Sequence, residues 1–179
     1  MLAPPVMSKE EALKIYERAK TPVEPTHMPA ENKGLPAPSR SAFPESTERS
    51  ELGAAETLAL YTDSIYYAYA TGDARPALEF IDTEQCINCA YYIQKAMDGA
   101  EEGHYGMSPE LTYDTFYYEE AADGDILVRL PFQHGEIWES KMGKQFKSTD
   151  PGTRTANGKL HWNGSAWVLV EFSDANHEK

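Results

Sequence analysis

The run Ile126-Leu127-Val128-Arg129-Leu130-Pro131-Phe132-Gln133-His134 reads with a period of two. Successive side chains of a strand point to opposite faces. Ile126, Val128, Leu130, Phe132 and His134 therefore share one face, and Leu127, Arg129, Pro131 and Gln133 share the other. Strand signals continue on both sides. Upstream, residues 111–120 are aromatic and β-prone, and Asp123-Gly124 supplies a turn. Downstream, a third strand is expected over 136–146 and a loop at Asp150-Pro151-Gly152. A closing hairpin is expected from 159–162 and 167–172, with Asn163-Gly164 as a type I′ turn.

Before residue 105 the period is that of a helix. Leu58, Tyr61, Ile65 and Tyr69 fall on one helical face, Ser50 can cap it, Glu51 complements its dipole and Gly72 stops it. A short second helix follows, capped by Asp73 with Pro76 in its first turn and Leu78, Phe80 and Ile81 as its apolar contacts. A third is expected over 88–99 with Tyr92, Ile93 and Met97. Helices first and antiparallel strands after them make an α+β domain, spanning about 50–175.

The preceding residues 1–49 differ in composition. Residues 1–50 hold eight of the twelve prolines but only two of the twenty aromatics, Tyr16 and Phe43. Proline fixes φ and removes a donor, so this stretch reads as a spacer arm. One island is helical: Ser8-Lys9-Glu10-Glu11 forms a capping box ahead of Ala12, Leu13, Tyr16 and Ala19, which predicts a helix over 9–20. A helix this short is marginal alone, so it must dock or fray.

The net charge is −13, unevenly placed. Residues 1–50 are balanced, with seven basic and seven acidic side chains, and the rest hold nine against twenty-two. Such a surface repels a phosphate backbone and anionic lipid, which argues against nucleic acid and a lipid surface as partners. No apolar run approaches the ~20 residues of a membrane helix, and no secretory signal opens the chain. The protein is thus expected to be cytosolic, or to have lost a targeting segment.

Cys86 and Cys89, the two cysteines, sit at the start of the third helix. A structural disulfide would close a very small loop. A redox pair gains from the helix terminus but needs a βαβ setting, and zinc lacks further ligands at finger spacing, since His104 and His134 do not supply it. The disulfide is the expectation, and it implies an oxidising compartment and therefore a removed targeting segment.

Other chemistry is sparse. His134 is in phase with the inward face of its strand, and Asp114, Phe116 and Tyr118 join it if Phe116 turns inward. Such a group could transfer protons, although a buried histidine among aromatic filling explains the same pattern. Trp138, Glu136 and Glu139 would add a polar rim. Tyr61 and Tyr69 lie on the first helix's buried face, and Tyr66 and Tyr67 either line a pocket or extend the core. No nucleophile elbow, P-loop, dinucleotide fingerprint or paired-histidine metal motif occurs, so no catalytic residue, metal or cofactor is assigned.

The tyrosine-rich helix ending in Thr71-Gly72-Asp73, the Cys86-Ile87-Asn88-Cys89 motif and the closing Trp167-Val168-Leu169-Val170 resemble a family of actinobacterial envelope lipoproteins of unknown function. The resemblance covers about residues 35–172. It implies an NTF2-like cone: three helices packed on a strongly curved antiparallel sheet of four to six strands. It also implies a cleaved signal, a lipidated cysteine that this sequence does not show, and a domain outside the membrane in the cell envelope. A cavity is then expected on the concave face, with Tyr61, Ile65, Tyr69, Phe116, Tyr118, Phe132, His134 and Trp138 as its candidate lining. Its expected occupant is a small apolar or aromatic ligand or an envelope protein. The alternatives are a structural accessory domain whose cone is filled by its own side chains, and an isomerase or dehydratase.

Overall fold

The helix read from Leu58, Tyr61, Ile65 and Tyr69 is the axis around which the rest of the chain is packed. In a computed structural model, which describes residues 7–106 and 110–176, it is α2, Glu51–Thr71; α1 (Lys9–Ala19) precedes it, and α3 (Arg75–Leu78) and α4 (Cys89–Glu101) follow. Its ends form as their residues dictate. The Ser50 side chain accepts from the Gly53 amide at 3.0 Å, and Gly72 adopts a left-handed φ of 76° that closes the helix. Burial is not confined to one face, however: Ala54, Leu60, Thr62, Ser64 and Ala68 are buried as well. A helix buried all round is one enclosed by other elements on every side.

Those elements include the arm. α1 forms where its capping box predicts, with Ser8 accepting from the Glu11 amide at 3.1 Å. Ala12, Ile15, Tyr16 and Ala19 join the same hydrophobic core as α2, and the helix lies on α4 and α3. The Tyr16 hydroxyl donates to the Cys86 carbonyl. Farther on, buried Asn32 donates to the carbonyls of Ala70 and Gly106, Arg40 lies 5.0 Å over the Phe80 ring, and Phe43 meets Tyr113 edge-on at 6.1 Å. The spacer reading is therefore corrected along these residues: an arm poor in regular structure still docks through isolated side chains.

Among the described residues eight strands follow: β1 His104–Gly106, β2 Leu111–Tyr113, β3 Tyr117–Glu120, β4 Ile126–His134, β5 Ile137–Lys141, β6 Lys144–Thr149, β7 Gly152–Trp162 and β8 Trp167–Asn176. The main antiparallel sheet runs β2–β4–β7–β8, with β3 continuing beyond β2 along β4; a second sheet runs β1–β5–β6. Residues 111–120 are two strands rather than one. β4 pairs with β2 through 132–134 and with β3 through 126–129. The gap falls at Pro131, which has no N–H to give the ladder; its carbonyl accepts from the Asp114 amide at 2.9 Å.

The expected strand over 136–146 is likewise two, folded back at Met142 and Gly143 with φ of 53° and 82°. Both central residues are left-handed, as a two-residue hairpin turn requires. Methionine rarely adopts that conformation, so its sequence signal was weak. The Asn163-Gly164 turn, in contrast, is not two residues long. Trp162 pairs with Trp167, and Asn163 Oδ1 accepts from the amides of Ser165 and Ala166 across a four-residue loop.

The outer edge of β8 is covered. Leu169 exchanges backbone hydrogen bonds with Phe80 and Asp82, and the Asn88 side chain pairs with both backbone groups of Phe172. An open row of donors and acceptors is thus closed off, which protects against edge-to-edge association.

Candidate functional site

Register fixes what meets on the concave face. Phe132 lies opposite Arg154, His134 opposite Gly152, and Ala156 opposite Asp174. The inward set therefore runs from Ile126 and Leu160 at one end, through Val128 with Gly158 and Leu130 with Ala156, to Phe132, His134, Arg154 and Asp174 at the other. α2 crosses this face. At the apolar end it presses closely: a Cβ on Gly158 would come 2.9 Å from Leu58 and 2.7 Å from Leu169. At the other end polar groups gather.

Arg154 Nη1 donates to the Tyr66 hydroxyl at 3.2 Å and lies 3.6 Å from Asp174 Oδ2. The Asp174 amide donates to the Tyr92 hydroxyl at 3.3 Å. Burial raises the Asp174 pKa, with Arg154 and His134 opposing it. Burial also raises Tyr66, to about 12, and raises Tyr69, so both hydroxyls stay neutral and able to donate. His134 is buried, and its Nδ1 donates to the Gly135 carbonyl at 2.7 Å. Its Nε2 looks onto Gly152, where a Cβ would stand 3.3 Å away. On the α2 side, the Tyr113 hydroxyl bonds Asp63 at 2.6 Å and the Ala59 carbonyl at 3.0 Å. Burial, opposed by that tyrosine, lifts the Asp63 pKa to about 6.

The eight residues read from sequence are distributed as follows. Tyr69, Phe132 and His134 belong to this end of the face; Phe132 packs edge-on to Tyr66 at 6.1 Å. Tyr61 is fully enclosed, donating to the Cys89 carbonyl at 3.2 Å and stacking edge-on with Phe172 at 4.8 Å, and Ile65 is buried on the same helix. Phe116 and Tyr118 contact each other on the β3 side, with Phe116 half-buried and Tyr118 exposed. Trp138 lies on β5 in the second sheet, also exposed. Asp114 is exposed beside outward-facing Gln133, on the opposite face from His134, so no His134–Asp114 pair is assembled.

Sequence reasoning missed Asp63, Tyr113, Arg154 and Asp174. For Arg154 and Asp174 a signal exists in the alternation Arg154-Ala156-Gly158-Leu160 and Phe172-Asp174. It is hidden because apolar residues mark only the hairpin end of each strand, and both strands run well beyond it.

Cys86 and Cys89 form a disulfide, both fully enclosed beneath α1. This excludes the pair as zinc ligands while it is bonded. Among the described residues, no three His, Cys, Asp or Glu side chains converge on a common point, and no helix is long and apolar enough to cross a membrane. A separate groove of about 370 Å³ runs over the convex face, across Tyr117, Leu127, Arg129, Asn157, Lys159 and Glu171. It lies on the far side of the sheet from the polar cluster.

A helical layer closed over the concave face of an antiparallel sheet defines an α+β cone. The chain belongs to the family of unknown function DUF6318, whose model matches residues 24–173. Among solved structures it is similar to the intermembrane-space region of the chloroplast protein ARC6. That match has a TM-score of 0.53 and 19% identity, over 72% of this chain and 99% of that one. Aln2 from a Streptomyces species (TM-score 0.38, 14% identity, 79% and 94% covered) and ActVI-ORFA from Streptomyces coelicolor (0.38, 9%, 78% and 92%) are more distant. At 19% identity the likeness to the ARC6 region is one of fold. No curated protein matches the chain in sequence.

Proposed function

We propose that this domain is a non-catalytic binding module that works outside the cytosol and takes a small apolar or aromatic ligand on its concave face. The observation that carries the reading is the polar end of that face. A part-exposed arginine and a largely buried carboxylate sit among Tyr66, Tyr69, Phe132 and His134, a combination of apolar walls and a few convergent polar groups that suits a ligand site. The enclosed disulfide supports an oxidising compartment. The lipoprotein resemblance adds a lipid anchor as the means of retention in the envelope. Native mass spectrometry of protein recovered from its own envelope tests the reading. A discrete small-molecule increment over the denatured mass is expected, and its absence across preparations counts against the module.

The second reading is a structural accessory domain. Its favouring observation is that Tyr61, Leu58, Leu160 and Phe132, all fully enclosed, already fill much of the cone. On that reading the masses are equal and the partner is a protein.

A further inference from the structure

Arg154 and Asp174 are only partly spent on each other. They meet through one contact of 3.6 Å, longer than the ~2.7–2.9 Å of a direct charged hydrogen bond. Arg154 Nε and Asp174 Oδ1 are shut off from solvent, and neither has a hydrogen-bond partner among the described residues. Native folds keep few such atoms, because each costs free energy that a partner would recover. The pair is not sealed in the core, since the Arg154 side chain is 30% exposed and that of Asp174 16%. It lies at the part-exposed end of the concave face, beside Tyr66 and Tyr69.

The unspent atoms are one donor and one acceptor, carried by adjacent groups of opposite charge. Resting on the binding reading above, we infer that the ligand carries a neutral head with a hydrogen-bond acceptor beside a donor, as on the cis edge of a lactam or primary amide, attached to an aromatic body. The acceptor takes the Arg154 N–H, the donor meets Asp174, and the head enters by widening the 3.6 Å contact. The head is neutral because Arg154 and Asp174 already balance. A carboxylate head would stand against Asp174 in a chain of net charge −13. The body stacks on the rings of Tyr66 and Tyr69.

Three probes separate this inference from the reading beneath it: 2-quinolone, which has the lactam edge; N-methyl-2-quinolone, whose donor is blocked; and quinoline, which keeps an acceptor alone. Each is titrated into the full chain and followed by backbone amide NMR. The expected result is that 2-quinolone binds at the Arg154 end about tenfold more tightly than either analogue, the scale of one lost buried hydrogen bond. Arg154→Met should weaken all three alike, whereas Asp174→Leu should erase that preference while weak quinoline binding persists. Equal affinity for all three would overturn the inference and leave the cone as a binding site. No binding of any probe on the concave face would overturn both.

Discussion

Asp63 is held largely away from water, and its carboxyl pKa is lifted from 3.8 to about 6 by that burial, against the Tyr113 hydrogen bond. The folded state therefore binds its proton more tightly than the unfolded chain. Between about pH 4 and pH 6 the native state carries more protons than the unfolded one, so stability falls as pH rises through that window. Glu56, lifted to about 7 by burial and by Glu45, adds a slope of the same sign. Asp63→Asn should flatten the first part of this slope and stabilise the protein at pH 7 by about 1–2 kcal/mol. Urea titrations at pH 4.5 and 7 read this directly, and an unchanged pH slope would place Asp63 in water. Reduction of Cys86–Cys89 should cost only ~1–3 kcal/mol, since the loop it closes is so short. Thermal melts with and without reductant check it. At this scale the sequence was legible where a side chain kept strand or helix phase, as Tyr69, Phe132 and His134 do. Tyr118 and Trp138 kept phase too, but on an edge strand and in the second sheet, which periodicity does not distinguish.

Gly53 shows how an element depends on one missing atom. A Cβ there would stand 2.1 Å from the Glu48 carbonyl oxygen and 2.8 Å from that of Glu45, both backbone atoms that cannot swing aside. The 3-10 turn Pro44–Thr47 docks against α2 at this point, and Trp167 Nε1 donates to the Glu48 carbonyl at 2.9 Å. Gly53→Ala should therefore cost at least about 2 kcal/mol, despite alanine's better helix propensity, because the added methyl overpacks a rigid contact. A chemical denaturation midpoint equal to wild type would contradict this. α1 makes a parallel case. Tyr16 is buried and donates to the Cys86 carbonyl, so Tyr16→Ala should cost about 3 kcal/mol, and removal of residues 1–45 should broaden the unfolding transition. Calorimetry of both variants tests it; an unaltered, sharp transition on deletion would make the arm a spacer after all. The helices were legible from caps and spacing. The broken β2–β3 edge and the β5–β6 hairpin were not, because they turn on a proline's missing donor and on a methionine in a left-handed conformation.

For the whole molecule, helices followed by strands, visible in the order of periods along the chain, were enough to reach an α+β cone. What order alone does not reveal is which end of the concave face is polar. That depends on the register of β7 with β4 and β8, which brings Arg154 beside Phe132 and Asp174 within reach of Arg154. The convex groove offers a competing place for a ligand, with Tyr117 63% exposed at its margin. The most direct test is a backbone-amide NMR titration of the full chain with small-molecule extract from its own envelope. Shifts centred on Tyr66, Phe132, Arg154 and Asp174 are the predicted result. Shifts confined to Leu127, Arg129 and Asn157 on the convex face, or none at all, would contradict the cone as the binding site.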